Sequence, residues 1–163
     1  MREALFSILG DRVPGCRFLD LYAGTGAVGI EALSRGATAV TFVETDSNTV
    51  QLMRKNLAAC QFTEAADVCV GSAQQFFQHP DRWNGPYDLV FADPPYADAA
   101  AVDLVLRGWV LGLLAPDGRM IIEQDARAQL PARTETAELL RRYRYGDTAL
   151  FVYGPATKDG VAS

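Results

Sequence analysis

The sequence predicts an α/β fold with a mostly parallel central sheet, helices on both faces and a C-terminal antiparallel hairpin. Three observations lead there. Short apolar runs alternate with segments of helical periodicity from Arg17 to Glu123. The first run opens into a glycine-rich turn, Gly24-Thr25-Gly26-Ala27-Val28-Gly29, of the kind that bends a strand into a helix and lets a ligand approach the backbone. After Gln129 the alternation gives way to two neighbouring strand-like segments joined at Gly146-Asp147.

The elements follow in order. Arg2–Leu9 reads as a helix with Ala4, Leu5, Ile8 and Leu9 on one side and Phe6 at its flank, broken by Gly10–Gly15. Arg17–Tyr22 is the first strand, and Val28–Ser34 is a helix ending near Gly36. Ala39–Val43 is a buried strand closed by Glu44, and Ser47 begins a helix carrying Val50, Leu52, Met53 and Leu57. Asp67–Val70 is a third strand, with a short helix through Phe76 and Phe77 behind it. Strand four, Tyr87–Ala92, delivers Asp93 at its C-terminal end, where ligands of open α/β sheets gather. A helix over roughly Ala99–Leu114 comes next, and Pro116-Asp117-Gly118 turns the chain into strand five, Arg119–Glu123. Glu138–Tyr145 and Thr148–Tyr153 form the hairpin.

A chain of 163 residues, 49% hydrophobic and 21% charged, suits one domain around one core, expected over 1–154 with a disordered tail over 155–163. No apolar stretch has the length of a membrane span, and the N-terminus lacks the organisation of a signal peptide, so a cytoplasmic location is expected. Cys16, Cys60 and Cys69 are scattered, reading as reduced, partly buried residues, and the single His79 reads as a surface loop residue. No metal site is expected. The net charge of −5 argues against a broad basic surface for nucleic acid, but Arg133, Arg141, Arg142 and Arg144 concentrate positive charge near the C-terminal end. Their interleaving with Tyr143 and Tyr145 suits a strand with solvated arginines and packed tyrosines, and also suits RNA contact.

The chemistry is carried by Asp93-Pro94-Pro95-Tyr96. A carboxylate and a rigid di-proline backbone present several acceptors to one planar amino group, and Tyr96 offers a face on which a base can lie. The lone pair of an exocyclic amine is delocalised into its ring, so the nitrogen attacks poorly until its hydrogens are held. Asp93 would accept one hydrogen and the Pro94 carbonyl another, with Tyr96 stacked on the extruded base. Glu44 lies twenty residues beyond Gly24 at the end of the next strand, where a carboxylate can accept both hydroxyls of a ribose. Asp117 is explained by its Pro-Asp-Gly turn, while Glu123 and Asp125 read as solvated strand-end charges and Trp83 and Trp109 as core or rim.

Asp20-Leu21-Tyr22-Ala23-Gly24-Thr25-Gly26, Glu44 and Asp93-Pro94-Pro95-Tyr96 together resemble the Rossmann-like S-adenosylmethionine-dependent amino-methyltransferases. Arg2-Glu3-Ala4-Leu5-Phe6-Ser7-Ile8-Leu9, Ala32-Leu33-Ser34-Arg35-Gly36-Ala37 and Phe42-Val43-Glu44 narrow this to a family similar over nearly the whole chain: the bacterial enzymes that methylate the 2-amino group of a guanine in 16S ribosomal RNA. The resemblance implies S-adenosylmethionine as cofactor, with Asp20, Tyr22, Gly24 and Gly26 around its methionine end and Glu44 on its ribose. It assigns Asp93, Pro94 and Tyr96 to the target base, with Asp93 also bordering the cofactor. Where relatives place an acid to receive the adenine amino group, Gly71-Ser72-Ala73 presents Ser72, whose hydroxyl can also accept. Relatives also begin with a basic, glycine-containing stretch that this sequence lacks. The implied partner is 16S ribosomal RNA or the small ribosomal subunit, bound by a monomer.

Other readings share the motifs. The tetrapeptide serves adenine methylation in DNA or RNA and methylation of a protein glutamine equally well. A non-catalytic module that binds S-adenosylmethionine would keep the same turn. A dinucleotide oxidoreductase would need a substrate domain for which the chain has no room.

Overall fold

The apolar runs lie side by side in the computed structural model, which describes residues 1–96 and 98–157. Seven strands are formed: β1 (Arg17–Leu21), β2 (Ala39–Glu44), β3 (Ala66–Val70), β4 (Tyr87–Ala92), β5 (Leu114–Asp125), β6 (Ala137–Tyr145) and β7 (Thr148–Pro155). They make one sheet in the order β3-β2-β1-β4-β5-β7-β6. β1 to β5 are parallel to one another, and β7 is antiparallel to both β5 and β6. β6 therefore runs with the first five strands, and β7 alone is reversed.

Among the described residues, five α-helices cover the faces: α1 (Arg2–Leu9), α2 (Ala27–Ser34), α3 (Ser47–Ala59), α4 (Ala73–Gln78) and α5 (Ala99–Leu106). Strand alternation divides the core into two layers. Leu19, Leu21, Val90 and Ile122 pack with Phe76 and Phe77 of α4 and Val102 and Val105 of α5. Phe18, Phe42, Phe91 and Ile121 pack on the other face with Leu5 and Phe6 of α1, Leu33 of α2 and Met53 and Leu57 of α3. Phe6 is buried at the centre of the α1 contact, stacked on Phe18 with ring centroids 6.4 Å apart, rather than lying at its flank.

Four local expectations change. α3 begins at Ser47, but its cap is Asp46, whose carboxylate accepts the Asn48 and Thr49 amides; Leu52 points away from the core and is 48% exposed. The helix expected to reach Leu114 stops at Leu106, because Leu113 and Leu114 are drawn into the core and Gly108 packs tightly against Leu114. Gly112, at φ +80°, reverses the chain in between. Pro116-Asp117-Gly118 is a bulge within β5 rather than a turn before it, since Leu114 already pairs with Tyr87, and Arg119 with Leu89. On β6 a register shift between Leu139 and Arg141 interrupts the simple alternation: Tyr143 is half-buried, but Tyr145 is 39% exposed.

Pro155, placed at the start of the expected tail, closes β7 opposite Ala137, and the Ala156 amide donates to the Thr136 carbonyl. The rest of that tail, 158–163, lies outside the described residues. Cys16 and Cys69 are buried and free, whereas Cys60 is exposed. Both tryptophans are half-buried, with indole N–H groups donating to the Phe76 and Ala115 carbonyls. Among the described residues, no helix is long and apolar enough to cross a membrane.

Gly29 has no room for a side chain. A Cβ there would enter the Phe42 ring and stand 2.9 Å from Val40 Cγ1. Gly29→Ala is expected to cost about 1–3 kcal/mol of stability through overpacking, measurable as a lower urea midpoint at unchanged m-value.

Candidate functional site

The strand order reverses between β1 and β4. β2 and β3 are laid to one side of β1 and β4 to the other, which leaves a crevice at the C-terminal ends of the strands. Every residue singled out for the site lies along that edge or in the loops leaving it. Asp20, 1% exposed, is the next-to-last residue of β1, and its Oδ2 accepts the Gly29 amide in the first turn of α2 at 3.0 Å. Burial is the main reason its carboxyl titrates well above the usual carboxylate range; the charges of Asp93 and Glu44 add to the shift. Tyr22, Gly24 and Gly26 have positive φ values of 59°, 59° and 88°, so the backbone folds back on itself between β1 and α2. Gly26 is also a packing requirement, since a Cβ there would stand 2.9 Å from Met53 Cγ.

Glu44 fastens this turn to β2. Its Oε1 accepts the Gly24 amide at 2.8 Å, while Oε2 accepts the Thr45 and Asp46 amides, each at 3.1 Å. The carboxylate is therefore held rigidly at the mouth of a cavity of about 650 Å³ that reaches from Tyr22 and Glu44 past Ser72 to Asp98 and Leu104. Ser72 first serves its own helix. It is the N-cap of α4, its Oγ accepting the Gln75 amide at 3.0 Å while Gln75 Oε1 accepts the Ser72 amide at 2.9 Å.

The cavity suits S-adenosylmethionine on its own donor set. A fixed carboxylate with spare lone pairs stands where a ribose needs acceptors, and Val43 and Leu104 supply apolar walls for a flat base.

The tetrapeptide follows β4 directly. Asp93 is open to solvent on one side, yet the packed protein behind it raises its carboxyl above the ordinary value. Pro94 is buried, and its carbonyl accepts the side-chain amide of Gln124 at 3.1 Å. Tyr96, 65% exposed, forms one wall of a second cavity of about 380 Å³ with Val102, Arg127, Leu130 and Pro131. Asp98 and Asp103 line both cavities, so the two adjoin. A base seated by Tyr96 would thus lie next to whatever occupies the first.

Two residues here escaped sequence reasoning. Gln124, 6% exposed, carried no motif, and only the β4–β5 register brings it under Pro94. Glu123 is half-buried one place beyond Ile122, the partner of Ala92, rather than solvated; burial and then the charge of Asp93 raise its carboxyl. Asp125 does match a strand-end charge: hydrogen bonds from Arg127 hold its carboxyl down at about 2. His79 sits at the far end of α4 from Ser72, exposed, with Nδ1 2.8 Å from the Gln75 carbonyl. Among the described residues, no three His, Cys, Asp or Glu side chains gather where they could hold a metal ion.

Comparison with known proteins agrees with this arrangement. The family model described as conserved hypothetical protein 95 matches residues 1–154. The Bacillus subtilis protein YlbH is 31% identical over 153 residues, covering 94% of this chain and 83% of its own. Ribosomal RNA small subunit methyltransferase D of Escherichia coli K12 is also 31% identical over 153 residues, covering 94% of this chain and 75% of its own. A solved structure of a conserved hypothetical protein from Streptococcus pyogenes superposes with a TM-score of 0.85 at 29% identity, covering 96% of each chain.

Two outcomes are expected from the geometry alone. Gln124→Leu leaves the Pro94 carbonyl without its donor and should lower stability by about 1–3 kcal/mol in urea unfolding. Because folding raises the Asp20 pKa, the native state holds that proton more tightly than the unfolded chain. Stability should therefore fall as pH rises from the ordinary carboxyl value of 3.8 through the raised one. Asp20→Asn should flatten that decline relative to wild type in unfolding curves taken from pH 4 to 8, and an unchanged slope would show that Asp20 does not set it.

Proposed function

The chain belongs to the conserved hypothetical protein 95 family, together with ribosomal RNA small subunit methyltransferase D, and from that premise we propose that it methylates the exocyclic 2-amino group of a guanine in 16S ribosomal RNA. S-adenosylmethionine, when bound, supplies an activated methyl group on a sulfonium. The observation that carries the reading is the joining of the two cavities through Asp98 and Asp103, with Asp93 and Pro94 leading from β4 toward Tyr96 in the second. One cavity suits a nucleoside and the other a flat aromatic ring.

The chain's own residues then divide the task. Glu44 would hold the ribose hydroxyls, and the Gly24 and Gly26 turn lets the backbone approach the methionine end beside Asp20 and Tyr22. Ser72 offers its remaining lone pair to the adenine amino group, and Val43 and Leu104 border the ring. Asp93 would accept one hydrogen of the target amine and the Pro94 carbonyl the other, which directs the nitrogen lone pair at the methyl carbon. Gln124 uses one lone pair of that carbonyl and leaves the second free. Tyr96 would stack on the extruded base, a contact worth about 1–3 kcal/mol for aromatic–base pairs in general. The proton lost by the methylated nitrogen passes to Asp93 and on to solvent. We place the reaction in the cytoplasm, on naked RNA or the assembled small subunit, carried out by a monomer whose single domain spans 1–154.

Incubation with labelled S-adenosylmethionine and small-subunit RNA or subunits should yield labelled 2-methylguanosine on nucleoside analysis. Label in N6-methyladenosine, or only in protein, would refute the guanine assignment. Asp93→Ala should reduce turnover by at least about 100-fold while cofactor affinity stays near wild type. Since transfer needs Asp93 ionised and burial raises its pKa, turnover should fall on acidification at a higher pH than an ordinary aspartate would dictate.

A further inference from the structure

In a protein of net charge −5, the arginines toward the end of β6, one of which lines a cavity adjoining that of Tyr96, stand out. The connection leaving β5 at Asp125 crosses behind Tyr96 and supplies Arg127, Ala128, Gln129 and Leu130 to the wall of that cavity. The same four residues form the near wall of a further cavity of about 430 Å³, completed by Leu139, Arg142 and Phe151. The two spaces lie on either side of one short stretch of chain.

The sheet brings β6 to this place. Thr148 of β7 pairs with both Asp125 of β5 and Tyr145 of β6, so the tip of the hairpin stands at the catalytic end of the sheet. Arg142 lies over the Phe151 ring, 5.6 Å from its centroid, and its guanidinium also donates to the Ala126 carbonyl. Arg144 donates through Nε to the Gly146 carbonyl at 3.0 Å. Each of these two hydrogen bonds occupies one N–H and orients the group, leaving other N–H donors of the guanidinium. Arg127 is neutralised by Asp125, and Arg133 by Glu138. Among the described residues, Arg142 and Arg144 pair with no carboxylate.

We propose that the RNA strand leaving the target base crosses residues 127–130, with its phosphates on Arg142 and Arg144 and the adjacent nucleotide in the cavity between Leu130 and Phe151. This rests on the reading of the protein as an RNA methyltransferase. Oriented guanidinium groups match phosphate oxygens, and a largely apolar space roofed by Leu130 and Leu139 accepts an unstacked base. The track is short, which suits a chain of net charge −5: sequence-independent grip is confined to the nucleotides next to the reaction.

The test measures binding of deproteinised small-subunit RNA to the full chain across a salt series. It compares wild type, Arg144→Gln, Arg142→Gln/Arg144→Gln, and a control, Arg54→Gln, on the exposed side of α3. The slope of log K against log salt should lessen by about 0.7 for each arginine removed from a single-strand phosphate contact. Affinity at moderate salt should fall severalfold for the single variant and further for the double. Cofactor affinity and melting temperature should hold, and Arg54→Gln should match wild type. Arg144→Gln keeps the test independent of Arg142, which also packs. Unchanged slopes in a protein that still methylates the RNA would overturn the track and leave the reaction standing. If wild type methylates no RNA, the reading beneath the track falls and the track falls with it.

Discussion

The buried carboxylate of Asp20 is the interaction on which the rest of the site depends. It lies near the end of β1 inside the protein, where burial disfavours its charged form, and it meets the first turn of α2 through the Gly29 amide. That bond fixes how the helix leaves the strand. It requires α2 to lie so close to β2 that only glycine fits at position 29. The left-handed glycine turn, the crevice above it and the position of Glu44 follow from that close packing.

A second constraint acts from the other side of the crevice. The Asp93–Tyr96 loop leaves β4 with prolines at two of its four positions, so it has few conformations to lose, but stiffness alone does not aim it. Its aim comes from β5, where Gln124 holds the Pro94 carbonyl. The loop is thus set by its own covalent rigidity and by a neighbouring strand seated about thirty residues further along the chain. Glu44 and the Gly24 amide make the corresponding tie on the cofactor side, across twenty residues.

Much of this was legible beforehand because it is local. The strands Arg17–Leu21, Ala39–Glu44 and Tyr87–Ala92 are short apolar runs bounded by turn residues, and their limits are readable almost to the residue. The glycine turn, the carboxylate ending the second strand and the Asp-Pro-Pro-Tyr run are motifs for the same reason: each needs specific residue types at adjacent positions. The misreadings occur where a long-range contact overrode a local preference. The apolar stretch after Ala99 looks helical through Leu114, yet Leu113 and Leu114 gain more by entering the core than by extending an exposed helix.

By itself the sequence determined the alternation of strands and helices, the glycine-rich turn after β1 and the Asp-Pro-Pro-Tyr run after β4, since these depend on side-chain chemistry and on spacing within one segment. Only the tertiary structure decided that Gln124 supports Pro94, that Glu123 is half-buried near the charge of Asp93, and that Arg142 and Arg144 reach the end of the sheet where the site lies. Those facts depend on strand order and register, through which residues remote in the chain become neighbours. Register is a property of the whole sheet: each strand's position is set by the fit of every side chain on both faces, and no local pattern encodes it.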